Sequence, residues 1–164
     1  MREIKFRAWW KHPEYNPDGK MYFVGGMTFA TRQDGEPEFD DCGTPKEIGL
    51  MSTVNNSKIG WNSADECILM QYTGLKDKNS KEIYEGDIVK GGIRYDFDKN
   101  QIGIVKFGKF SSDNSGQEYA NNTVVGWYID IIDYAGEIEE NYGNYSWNDL
   151  EVIGNIYENP ELLK

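Results

Sequence analysis

The chain has 164 residues, 38% of them hydrophobic and 14% aromatic, which is enough to fold and to bury one substantial core. Its 28 acidic side chains outnumber 17 basic ones, and a net charge of −11 argues against general binding to DNA or RNA, which rests on cationic neutralisation of phosphates. Met1 to Arg7 alternates charge with hydrophobe unlike a signal peptide, and no apolar run approaches the roughly 18 residues of a membrane span. With Cys42 and Cys67 lacking CxxC spacing as well, a cytoplasmic protein with reduced thiols and no membrane contact is expected.

In chain order, Glu3 to Trp10 alternates with Ile4, Phe6 and Ala8 on one face and Lys5, Arg7 and Trp9 on the other, the period of an amphipathic strand. The turn signals of Pro13 to Gly19 lead into a second strand, Lys20 to Val24, and the two predict a hairpin. Residues 25–62 are rich in Gly, Pro, Asn and Asp and predict a loop-rich insertion. Within it, a short helical turn is expected at Pro45 to Met51, with strand fragments near Phe29 and at Lys58 to Trp61.

A strand at Ile68 to Tyr72 is expected to pair with Ile83 to Lys90. The turn between them, Lys76 to Lys81, holds four ionic groups and predicts a solvated loop. Gln101 to Phe107 predicts a strand, residues 108–122 a polar insertion, and Thr123 to Ile132 a further strand. After an acidic, Tyr-rich connection, Leu150 to Tyr157 closes the series and Asn159 to Leu162 forms a terminal turn. The pattern predicts a single, mainly β (all-β) domain over residues 1–164, a barrel or roll with long loops and at most short helical turns.

Three blocks carry a resemblance: Arg2 to Trp9, the run QYTGLKDKNSKEIYEGDIV from Gln71 to Val89, and Val152 to Leu163. In that order they resemble the YopX family of phage and prophage proteins, a family without an assigned activity. The resemblance implies an SH3-like barrel core and, for origin, the cytoplasm of a bacterial host cell. It implies no catalytic residue.

The residues themselves offer little chemistry. Asp96-Phe97-Asp98-Lys99-Asn100 begins like a calcium loop, but Gln101 stands where the turn glycine belongs and Phe107 where the bidentate glutamate belongs. His12 is the sole histidine, too few for a multi-histidine metal site or for a triad with any redundancy, and a surface place beside Pro13 is expected. Asp40 and Asp41 beside Cys42 oppose formation of a thiolate. Neither a GxxxxGK[ST] nor a GxGxxG motif is present, and no cofactor is expected. Paired carboxylates among Asp130, Asp133, Glu137, Glu139 and Glu140 read as a solvated acidic edge before they read as a glycosidase pair.

The expected function is therefore non-enzymatic: a phage or prophage accessory protein that binds a host or phage protein or assembles with itself. The candidate interaction surface is Trp9, Trp10, Asp130, Asp133, Glu137, Glu139 and Glu140. Trp9 and Trp10 qualify because consecutive residues of a strand face opposite sides, so one must leave the main core. Five Trp and 11 Tyr suit interfaces, and strands Ile4 to Trp9 and Glu151 to Tyr157 are expected as sheet edges open to a homo-oligomer. The alternative is an acidic decoy. From Ser111 onward the chain has 11 acids and the single base Lys164, a charge block that could imitate nucleic acid before a host DNA-binding protein.

Overall fold

The computed structural model describes residues 3–29, 45–51, 58–91, 101–111, 123–132, 138–139 and 147–164. They form antiparallel sheets and short 3-10 turns, so the mainly β expectation holds. The chain divides into two compact units, Lys5–Gln71 and Tyr72–Lys164 together with Met1–Ile4. No helix among the described residues is long and apolar enough to cross a membrane.

The first unit is one sheet of β1 (Phe6–His12), β2 (Asn16–Phe29), β3 (Pro45–Met51), β4 (Lys58–Ser63) and the opening residues of β5 (Cys67–Lys76), in the order β4-β3-β2-β1-β5. Period-two alternation sends Ala8, Tyr22, Ile48 and Leu50 to one face, where Trp10, Val24, Cys67 and Leu69 pack beside them and Ala64 of the 3-10 turn Ala64–Glu66 adds cover. The hairpin turn after His12 is held by its ring: Nδ1 accepts the N–H groups of Glu14 at 3.1 Å and Tyr15 at 3.2 Å. Two expectations are corrected. Pro45–Met51 is a strand and not a helical turn, because Ile48 and Leu50 bury the same face while β2 and β4 pair it on both sides. Nor is the N-terminal strand an edge, since β1 lies between β2 and β5.

In the second unit, the end of β5 pairs β6 (Glu82–Tyr84) through Tyr72↔Tyr84 and Lys76↔Glu82. A further sheet follows the order β10-β9-β8-β7-β11, made of β7 (Asp87–Gly91), β8 (Gln101–Ser111), β9 (Thr123–Ile132), β10 (Ile138–Glu139) and β11 (Glu151–Asn155). The expected hairpin is thus shorter than drawn from the sequence: Ile68 to Gln71 pairs β1, and Asp87 to Gly91 pairs β8 and β11. The core here is Ile83, Val89, Val105, Ile129, Ile131, Leu150 and Val152, with Leu75, Trp127 and Trp147 against it. No described pairing joins the outer strands β10 and β11.

Candidate functional site

The feature of the second unit that its own core uses only in part is the outer half of the β8–β9 pair. The two strands are in register from Ile102↔Ile132 to Ser111↔Thr123. Among the described residues, β7 pairs β8 as far as Ile104 and β10 pairs β9 at Ile131 and Ile132, while Lys106 to Ser111 and Thr123 to Tyr128 pair as strands with each other. A two-stranded ribbon has no second layer of its own, and its apolar side chains must stay wet or meet something else.

Alternation places Val105, Phe107 and Lys109 opposite Ile129, Trp127 and Val125 on one face. That face begins as core, with Val105 and Ile129 fully buried, and ends in solvent, with Phe107 52% and Val125 61% exposed. Phe107 meets Trp127 edge-on, ring centroids 5.0 Å apart, and the Trp127 indole N–H is buried with no acceptor among the described residues. The other face carries Phe110 against Tyr128, centroids 5.7 Å apart, with Val124 40% exposed beside them. Both faces are therefore apolar and only part covered. The charge is also unlike the rest of the chain: Lys106 and Lys109 stand against the one acid Asp130, which is 9% exposed and ion-paired to Lys106.

Of the residues expected at an interaction surface, Asp130 lies in this ribbon with its charge already partnered. Trp9 and Trp10 take opposite faces of β1, as their adjacency requires. Trp10 packs on the first unit's core, edge-on to Tyr22 with centroids 5.9 Å apart, and its indole donates to Glu66 at 3.2 Å. Trp9 covers Gly19, whose φ is +75°; a Cβ added there would fall 2.3 Å from the indole. Glu139 pairs Ile131 through the backbone of β10, while Asp133, Glu137 and Glu140 lie outside the described residues, as do Cys42 and the segment Asp96 to Asn100.

The sequence reading passed over Phe107, Val124 and Val125. The available signal was the run TVVGWYID, apolar at consecutive positions and so apolar on both faces of a strand that only one core could cover.

Other reactive groups are engaged. His12 Nε2 stands 3.6 Å from Glu66, whose other oxygen holds Trp10. Burial, with Glu66 beside it, pushes the Cys67 thiol up to about 11, which keeps it protonated.

The charged run between β5 and β7 performs structural work. Lys78, Asn79, Ser80 and Lys81 are exposed as expected, but Asp77 is 5% exposed. Its Oδ1 accepts the N–H groups of Asn79 and Lys81, each at 2.8 Å, and its Oδ2 accepts that of Val152 at 3.0 Å. Burial alone would raise the Asp77 pKa, yet the three N–H donors outweigh it and hold the carboxyl below its usual range. Further along, Gly86 takes a φ of +75° and Asp87, fully buried, accepts the Tyr84 N–H at 2.8 Å. Gly86 also donates to the Val105 carbonyl and accepts from Ile156, tying the turn to β8 and to the residues after β11.

A family model described as YopX protein matches residues 5–164. The chain belongs to the YopX family. Among solved structures, this YopX chain is similar to the crystal structure of protein EF1440 from Enterococcus faecalis, with 23% identity, complete coverage of both chains and a TM-score of 0.52. At that identity the likeness is one of fold. No curated protein matches it. The Asp77 and Asp87 turns fall inside the block from Gln71 to Val89 that carried the resemblance in sequence, and that block closes turns onto β8 and β11.

Proposed function

We propose that this YopX protein is a non-enzymatic accessory protein of phage or prophage origin, a small barrel-like β module that works in the bacterial cytoplasm by contacting another protein, its own copies included. The observation that carries the reading is the outer β8–β9 ribbon, apolar on both faces and half covered, in a chain otherwise dominated by acids. Surfaces of this kind, aromatic and poor in acid, are where partners dock. The non-enzymatic part is supported by what the reactive groups do: the His12 ring caps a turn, the Cys67 thiol stays protonated, and Asp77 and Asp87 accept backbone N–H groups.

The decoy reading receives less support, because Asp130 and Glu151 are each held by a lysine and leave the block of free charge smaller. The two are separated by capture from host lysate at low and physiological salt, with wild-type chain and a Phe107→Ser variant. A protein-binding ribbon keeps its partner at both salt levels and loses it in the variant. Capture that vanishes with salt and ignores Phe107→Ser supports the decoy and overturns the ribbon reading.

A further inference from the structure

We infer that His12 is a proton-operated latch on the β1–β2 hairpin: with its ring neutral it fastens the turn, and on taking a proton it releases the turn and gives its charge to Glu66. This goes beyond the ribbon reading and does not rest on it. The first observation is the direction of the turn bonds. Nδ1 accepts two N–H groups, from Glu14 at 3.1 Å and from Tyr15 at 3.2 Å, and an imidazole nitrogen accepts only while it carries no proton. The fastened turn therefore requires the neutral ring with its one proton on Nε2.

The second observation is what faces Nε2. Glu66, on the 3-10 turn Ala64–Glu66, places one carboxylate oxygen 3.6 Å from it and with the other accepts the Trp10 indole N–H at 3.2 Å. Because Nε2 already bears a hydrogen in the fastened state, a second proton can enter only at Nδ1, where two N–H groups point at it. One event thus removes the turn's acceptor and sets a positive charge beside a carboxylate that also holds Trp10. The other groups around the ring do not reverse this. Tyr15 contributes its ring, centroids 4.6 Å apart, Asn16 across on β2 is neutral, and the Cys67 thiol that opens β5 stays protonated. Asp65 beside Glu66, and Lys11 and Glu14 on the ring's own segment, are exposed to water that screens them.

The third observation is how the hairpin tip is built. The register of the β1–β2 pair shifts between Trp10 and His12, so His12↔Asn16 stands apart from the regular ladder, and Pro13 and Pro17 have no N–H to add to it. The Asn16 side chain donates to the Trp10 carbonyl at 2.7 Å, which secures the strand end and leaves the turn itself to His12. Tyr15, 73% exposed, is held by those bonds against the His12 ring, so opening the turn frees an exposed aromatic side chain. A histidine ordinarily changes charge between about pH 5 and 8, and that is the window in which the tip opens.

The chain's single histidine makes the test direct: the full-length protein, with nitrogen-15 in its backbone and imidazole, is followed by NMR from about pH 8 to about pH 5. At the upper end the ring should be the Nε2–H tautomer. As the ring titrates, solvent exchange of the Glu14 and Tyr15 amides, corrected for the intrinsic effect of pH, should quicken at least about tenfold, the loss of two ordinary hydrogen bonds. The Trp10 indole signal should move with the same midpoint, since Glu66 joins the two rings. His12→Asn supplies an acceptor oxygen that closes the same kind of turn without titrating, and should keep both amides slow at every pH. Circular dichroism verifies folding, and if His12→Asn misfolds the wild-type titration decides alone. An Nδ1–H tautomer at the upper end, a ring that stays neutral throughout, a titration that leaves both amides unchanged, or a folded His12→Asn chain whose amides still answer to pH would each overturn the inference.

Discussion

Asp77→Ala should be among the more damaging single changes outside the core. The carboxylate accepts three backbone N–H groups, and one of them, on Val152, is buried in β11. Leaving a buried donor unsatisfied costs about 1–3 kcal/mol, and each of the two loop donors, which water can reach, costs about 0.5–1.5 kcal/mol. The sum is about 2–6 kcal/mol, against a total stability of roughly 5–15 kcal/mol for a typical domain. Asp77→Asn keeps one acceptor oxygen but turns an N–H toward a donor, and should lose about half as much.

The pH dependence has a definite sign. The folded-state pKa of Asp77 lies below its usual value of 3.8, so the unfolded chain binds the proton more readily. The contribution is therefore complete above about pH 5 and fades as the pH falls through 3.8 toward the lower folded value. Urea melts followed by tryptophan fluorescence at pH 7 and pH 3 would show this, with wild type and Asp77→Asn well separated at pH 7 and closer at pH 3. An Asp77→Ala midpoint equal to wild type at pH 7, or a gap between Asp77→Asn and wild type that ignores pH, would refute the argument.

Other expectations concern packing. Val89→Asp should destabilise by several kcal/mol, since Val89 is fully buried in the second unit's core and the carboxylate would enter it unpaired; a thermal melt matching wild type would show that the site is not core. Gly103→Ala should cost about 1–3 kcal/mol in a urea melt, because its Cβ would lie 2.4 Å from Ile129 and 2.8 Å from the Asp130 carbonyl, where the backbone cannot easily move. Gly19→Ala should cost a similar amount, about 1–3 kcal/mol, from a positive φ and the Trp9 indole together, and should change the environment of Trp9 seen by near-ultraviolet circular dichroism. Lys78→Ala should leave the melting temperature unchanged within error, because the 2.6 Å pair with Glu151 is exposed at both ends.

What could be read from the sequence were the strands themselves, wherever β-branched and aromatic residues alternate, as in Phe6–His12, Gln101–Ser111 and Thr123–Ile132. Their partners were less legible, because pairing depends on residues far along the chain. Ile68 to Gln71 has a sequence neighbour in Ile83 to Lys90 but pairs β1 instead, and β1 thereby ceases to be an edge. Asp77 was hidden for a related reason: an acid among three lysines and turn formers looks solvated until the Val152 N–H, 75 residues away, is brought to it. Local composition also misled at Pro45–Met51, where proline and glycine suggested a turn and two flanking strands imposed extension. The ribbon fell between these cases: its strands were evident, the exposure of Phe107, Val124 and Val125 was not.

The separation of 75 positions from Asp77 to Val152 also sets an order of events during synthesis. The turn from Lys76 to Lys81 cannot be locked, and β7 cannot acquire its β11 neighbour, until Val152 has left the ribosome. Contacts this distant make folding slow relative to helical proteins of the same size, because loop-closure entropy is spent before the contact rewards it. Through that interval the apolar strands β8 and β9 are already made and unfinished, the state in which strand edges of neighbouring nascent chains find each other. A surplus of eleven negative charges acts on that state as well as on the folded one, because like-charged chains repel each other whether or not the last strand is in place.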